Sequence, residues 1–174
     1  ILSLYTELLK KSPGNIDKVK ITATDISRDA LEIAVKNAGS ILDGDMGKNL
    51  EFIHCDILPE DASKWIANNK GKIDLVISNP PYISEDNFLD LPLEIREHEP
   101  AEALIAGKTG LEAYEKILSR IKGLIIPGAS CILFETDPIV GSRLVSLVER
   151  YIKVKDIRLL NDYNQKERIL VAHI

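Results

Sequence analysis

The sequence predicts an open α/β fold, a doubly wound and mostly parallel sheet with helices on both faces. Three observations carry that expectation. Short, nearly continuous apolar runs alternate with longer segments of helical periodicity, the pattern of strands covered on both faces. Three of the runs close on a polar residue, Asp25, Asp56 or Asn79, at the edge of the sheet where ligands of such folds bind. The last two runs, "KVKDIRLL" and "RILVAHI", are joined by "NDYNQKE" with no helix between them, which predicts an antiparallel hairpin at or near the sheet edge.

The elements follow in order. "ILSLYTELLKK" is an apolar-periodic helix, with Ile1, Leu4, Tyr5, Leu8 and Leu9 on one side. After the turn "SPGN", "KVKITATD" is a strand ending in Asp25. Ser27 caps the helix "RDALEIAVKNAG", and Gly39 is expected to stop it. The loop "SILDGDMGK" leads to the strand "NLEFIHCD", ending in Asp56. "PEDASKWIANN" reads as a short helix and "KIDLVISN" as the next strand. Residues 80–107 read as one long irregular segment, too long for a mere connection and so expected to be functional or disordered. A helix "TGLEAYEKILSRIKGLI", a strand "ASCILFET" and a helix "VGSRLVSLVERY" precede the hairpin.

Composition sets the bounds. With 174 residues, 45% hydrophobic and 28% charged, the chain is expected to form one globular domain over residues 1–174. No apolar run approaches the roughly 18 residues of a membrane helix. Two cysteines and three histidines offer neither a disulfide framework nor a metal-ligand cluster, so no metal and a reduced, intracellular setting are expected. The net charge is −5, with acids and bases interspersed. Proteins that grip nucleic acid usually present a basic face to displace counterions, and none is visible. The chain opens on a helix, without an initiator methionine, and is read as a piece of a longer protein.

The chemistry concentrates in "DLVISNPPYISE". An amide side chain at Asn79 carries an acceptor oxygen beside its donor NH₂. The carbonyl of Pro80 is a second acceptor, facing a following proline that has no N–H to occupy it. Two acceptors held on a stiff backbone suit one task, gripping both hydrogens of a planar –NH₂ group. Such a nitrogen is a poor nucleophile because its lone pair is delocalised. Hydrogen bonds that strengthen as it attacks an electrophile stabilise the transition state selectively. Pro80 and Pro81 pre-set the backbone, and Tyr82 can lay its ring over the planar group. The plain alternative is a proline-stiffened turn with a core tyrosine. Asp25 can accept from both hydroxyls of a ribose, and Asp56 from an adenine amino group. An acid at a strand end is by itself more often a turn former or helix cap, and the two gain weight only in series with Asn79.

"SNPPY" closing a strand resembles the motif of class I methyltransferases that modify planar amino nitrogens with S-adenosylmethionine. "LPLEIREHEPAEALIAGKTGLEAYEKI" resembles the segment that follows it in the HemK/PrmC family, the glutamine N5-methyltransferases of peptide-chain release factors. "DIRLLNDYNQKERILVAHI" resembles that family's closing hairpin, with Asp162 and Arg168 at the corresponding places. The resemblance implies a Rossmann-like sheet whose first strand and glycine-rich, methionine-cradling loop fall before Ile1, as does a helical substrate-binding domain. It implies S-adenosylmethionine as cofactor, S-adenosylhomocysteine as product, and the GGQ loop of a release factor as partner, with no direct nucleic acid and no membrane. It assigns Asn79, Pro80, Pro81 and Tyr82 to catalysis, and Asp25, Ile26, Asp56, Ile57 and Asn79 to the cofactor. Glu94, Arg96, Glu99 and Pro100 would buttress the catalytic loop, and Glu135 matches a family acid, although it is equally a plain strand-end residue. "ALIAGKTGL" lacks an acid and a glycine of the usual form. "ETDP" is more similar to the organellar branch, which implies the mitochondrial matrix, with the cytoplasm as the other compartment.

Two further readings compete. An adenine-N6 methyltransferase of DNA or RNA uses the same four residues for the same reason, but needs a basic groove or recognition domain. A non-catalytic, methyltransferase-like binding module would leave Asn79 and both acids unexplained.

Overall fold

The computed structural model describes residues 1–11, 18–42, 49–59, 65, 67–68 and 73–174. It divides into two compact units, Ile1–Trp65 and Ile66–Ile174. The expected loop "SILDGDMGK" and helix "PEDASKWIANN" fall largely outside the described residues.

The first unit contains α1 (Leu2–Lys11), β1 (Ile21–Asp25), α2 (Arg28–Ile41) and β2 (Leu50–His54). The β-branched run of β1 pairs in parallel with β2, from Ile21 opposite Leu50 to Asp25 opposite His54. Ser27 caps α2 as expected, its hydroxyl accepting from the Ala30 amide at 3.2 Å. Gly39 does not stop the helix. It runs two residues further, to Ile41, and the Leu42 amide donates back to Ala38. A glycine weakens a helix but ends one only where the backbone turns left-handed, and Gly39 does not. β2 also ends earlier than expected, at His54, so Asp56 lies in the bend beyond the strand.

The second unit opens with β3 (Leu75–Ser78), β4 (Ile83–Ser84), α3 (Glu85–Phe88), α4 (Leu93–His98), α5 (Ala101–Leu104) and β5 (Ile105–Gly107). It closes with α6 (Glu112–Ile121), β6 (Cys131–Glu135), α7 (Pro138–Tyr151), β7 (Asp156–Asn161) and β8 (Glu167–His173). The strand order is β3-β6-β8-β7, with β3 and β6 parallel and both β8 ladders antiparallel. The hairpin is therefore confirmed, with β7 at the edge and β8 inside it. Residues 80–107 are not one irregular loop. They hold three short helices and the two-stranded parallel pair β4–β5.

One face of the four-stranded sheet makes the core. Ile132, Phe134, Leu170 and Ala172 are fully buried, at alternate positions of β6 and β8. Tyr114, Ile117, Leu118 and Ile121 of α6 and Val140, Leu144, Leu147 and Val148 of α7 are buried too. The ring of Tyr114 meets Phe134 edge-on at 5.3 Å. Each buried Val, Leu, Ile or Phe among them contributes about 1.5–3 kcal/mol of transfer free energy. Buried Ser130 is satisfied by accepting from the Ile126 amide and donating to the Ile73 carbonyl.

Candidate active site

The segment Asn79–Tyr82 follows directly from β3. Its strand is an apolar, β-branched run in register with β6, Ser78 standing opposite Phe134. The ladder stops there because neither Pro80 nor Pro81 has an N–H to donate. Asn79 emerges exposed at the carboxyl end of the strand, Pro80 is buried, and Pro81 and Tyr82 are half-buried. Beyond Tyr82 the chain is recaptured at once, Ile83 pairing with Ile105 and Ser84 with Gly107. The segment is thus an exposed amide on a backbone anchored at both ends.

Tyr82 faces a polar cluster at the carboxyl end of β6. Burial raises its phenol pKa, and the Glu135 and Asp137 carboxylates push the same way. The Arg168 guanidinium pulls it down by its charge and its hydrogen bond, without reversing the sign. Tyr82 therefore stays a neutral hydrogen-bonding phenol at physiological pH. Arg168 is held in turn. Its Nη1 donates to Asp137 Oδ2 at 3.2 Å, and its Nε lies 3.8 Å from Asp162 Oδ2. Asp162 is fixed by the hairpin turn, its Oδ1 accepting from the amides of Asn164 at 2.7 Å and Lys166 at 3.0 Å. Tyr114 donates its hydroxyl to the Glu135 carbonyl at 2.6 Å, and burial drives its pKa far upward.

Asp137 was not singled out by sequence, although it is central to this cluster. It caps α7, its Oδ1 accepting from the Ile139 amide at 2.8 Å, while its other oxygen takes Arg168. The signal was there: an Asp immediately before a proline is a helix start with Pro at the first helical position.

The remaining expected residues fall elsewhere. In the α4–α5 region Glu94 lies in the first turn of α4, Glu99 is its C-cap and Pro100 precedes α5. Arg96 Nε is buried with no hydrogen-bond partner. Among the described residues no hydrogen bond joins these side chains to Asn79–Tyr82.

The first unit holds the expected cofactor residues, described on their own terms. Asp25 ends β1 exposed, its Oδ1 accepting from the Ser27 amide at 2.8 Å. No protein donor reaches Oδ2 among the described residues. Ile26 is 64% exposed beside it. The chain after β2 is tied to the end of β1, the Cys55 amide donating to the Asp25 carbonyl at 3.0 Å and Thr24 Oγ1 to the Ile57 carbonyl at 3.1 Å. Asp56 is half-buried, and its carbonyl accepts from the Leu58 amide at 2.9 Å. Ile57 adopts φ 72°, a left-handed conformation that a β-branched residue rarely takes. Strain of that kind clusters at ligand sites.

Comparison with known proteins adds to this geometry. No protein-family model matches the chain. It is 34% identical over 154 residues to the release factor glutamine methyltransferase of Bacillus subtilis, a match covering 88% of this chain and 50% of that protein. The corresponding protein of Rhodopirellula baltica is 32% identical over 156 residues, covering 90% of this chain and 49% of the relative. Over that span the chain is similar to the release factor glutamine methyltransferases, the HemK/PrmC family. It spans about half the length of the curated relatives it matches.

Solved structures support the fold alone. A predicted O-methyltransferase from Agrobacterium tumefaciens superposes with a TM-score of 0.54 at 13% identity, over 90% of this chain and 62% of that one. The hMettl16 catalytic domain, solved in complex with a MAT2A 3'UTR hairpin, gives 0.57 at 12% identity, over 88% of this chain and 55% of that one. The chain thus has a Rossmann-like α/β fold of the class I methyltransferase type.

Proposed function

We propose that the parent protein transfers a methyl group from S-adenosylmethionine to N5 of the glutamine in the GGQ loop of a peptide-chain release factor. The observation that carries this reading is the anchored Asn79–Tyr82 segment at the carboxyl end of β3, in a chain of HemK/PrmC-like sequence. The Asn79 side-chain oxygen and the Pro80 carbonyl receive the two N–H groups of the substrate amide. Tyr82, neutral and hydrogen-bonded, lies over the amide plane. Because both prolines have fixed φ, the acceptors need little ordering when substrate arrives.

When bound, the cofactor would supply an electrophilic methyl group, with S-adenosylhomocysteine as the product and one amide proton released to solvent. The residues of the first unit fit parts of it. Asp25 keeps one carboxylate oxygen open toward solvent for ribose hydroxyls, with Ile26 beside it. Asp56 and Ile57 offer an acceptor and an apolar surface for adenine.

The acidic balance, −5 overall, favours a protein loop over a polyanion. No described helix is long and apolar enough to cross a membrane. The organellar likeness of Glu135–Pro138 supports a mitochondrial parent.

The test is transfer by the purified full-length protein from labelled cofactor. A release factor should be labelled, and its Gln→Ala variant in the GGQ loop should not. Label on DNA or RNA with none on the release factor would favour the adenine-N6 reading, and label on neither would favour a binding module.

A further inference from the structure

Gly110 lies in the turn before α6, buried, with φ +80°. A Cβ placed there would stand 2.5 Å from the Tyr82 carbonyl oxygen and 3.2 Å from Val140 Cγ1. The first distance falls well inside the 3.0 Å that real Cβ contacts essentially never breach. Since the obstacle is a backbone atom, no rotamer change relieves it.

The turn that carries Gly110 is itself tied down. The Glu112 carboxylate accepts from the Thr109 amide at 2.8 Å and the Leu111 amide at 3.1 Å. Burial would raise its pKa, but these backbone hydrogen bonds outweigh burial and lower it. Glu112 thus stays ionised, holding the turn, at neutral pH. Gly107, at φ +112°, packs against the Glu112 side chain and pairs with Ser84, two residues beyond Tyr82. On the other side α6 is fixed in the core through Tyr114, Ile117, Leu118 and Ile121.

We propose that Gly110 is a positioning residue, a backbone wall that sets the Tyr82 peptide and, through it, the acceptors of Asn79 and Pro80. The argument rests on the catalytic reading of that segment. Between Asn79 and Tyr82 the φ angles of Pro80 and Pro81 are locked. With these two torsions fixed, less of a push at the Tyr82 carbonyl can be absorbed before it reaches Pro80 and Asn79. Side chains at 110 are excluded by the Tyr82 peptide as well as by φ.

Gly128 supplies the control. It has nearly the same φ, +82°, but nothing lies within 4 Å of its Cβ position. In the full-length protein, Gly110→Ala and Gly128→Ala should both lower the melting temperature through left-handed strain. Only Gly110→Ala should speed hydrogen exchange at the β4 amides of Ile83 and Ser84. It should also lower kcat for amide methylation by about tenfold, since misplacing reacting groups by about 1 Å can cost on the order of 10²-fold, with cofactor Kd unchanged. Glu112→Ala adds no bulk and loosens the same turn, so it should shift exchange and kcat in the same direction by less. It decides the matter if Gly110→Ala does not fold. Equal kcat in Gly110→Ala and Gly128→Ala would overturn the proposal. If the wild-type protein methylates no release factor, the functional reading fails separately. The exchange comparison then decides the wall alone, and unchanged β4 amides overturn it.

Discussion

Helices α2 and α7 are both fourteen residues long, both amphipathic, and both started by a side-chain cap, Ser27 in one and Asp137 in the other. Yet α2 has no buried residue, while α7 buries Val140, Gly141, Leu144, Leu147 and Val148. On α2, Ile33, Val35 and Ile41 are 60, 52 and 53% exposed. The contrast extends to the two units. Tyr5, Leu42 and Leu58 are the described buried apolar residues of the first, and the rest of the core lies in the second. An apolar stripe is therefore a capacity to be buried. Whether it contributes stability depends on a facing layer, which α6, β7 and β8 provide for α7.

The largest expected effect breaks or confirms this contrast. Leu144→Ala in α7 removes a fully buried side chain and should cost about 2–5 kcal/mol of unfolding free energy. Ile33→Ala in α2 should stay within about 0.5 kcal/mol, as for surface positions generally. Chemical denaturation followed by hydrogen exchange separates the two, and equal losses would mean that α2 is packed after all. The caps give a smaller contrast. Asp137→Ala loses a cap and deprives Arg168 of its closer carboxylate, and should cost about 1–2 kcal/mol. Ser27→Ala loses a cap alone and should cost about 0.5–1 kcal/mol. A larger loss at Ser27 would reverse the ranking of the two units.

Sequence disclosed the parts governed by local rules. The end of β1 at Asp25, the end of β3 one residue short of the expected Asn79, the Ser27 cap and the closing hairpin all follow from period, caps and proline chemistry. Residues 80–107 were opaque because helices of four to six residues carry too little periodicity to be read. Gly39 misled because a helix tolerates a glycine whose φ stays negative. The links that organise the candidate site, Arg168 with Asp137 and Asp162 and Gly110 with Tyr82, join residues 6 to 31 positions apart. No local pattern encodes such meetings, nor the left-handed backbone of Ile57.

The central claim is that Asn79 acts on the substrate amide in the transition state and not in holding the cofactor or the fold. It is tested most directly by Asn79→Ala in the full-length protein, with cofactor affinity, stability and turnover on a release factor measured side by side. The account predicts that cofactor affinity and melting temperature stay near those of the wild type while kcat falls by about 10²–10³, the scale of losing one preorganised polar contact. Turnover near that of the wild type would contradict it.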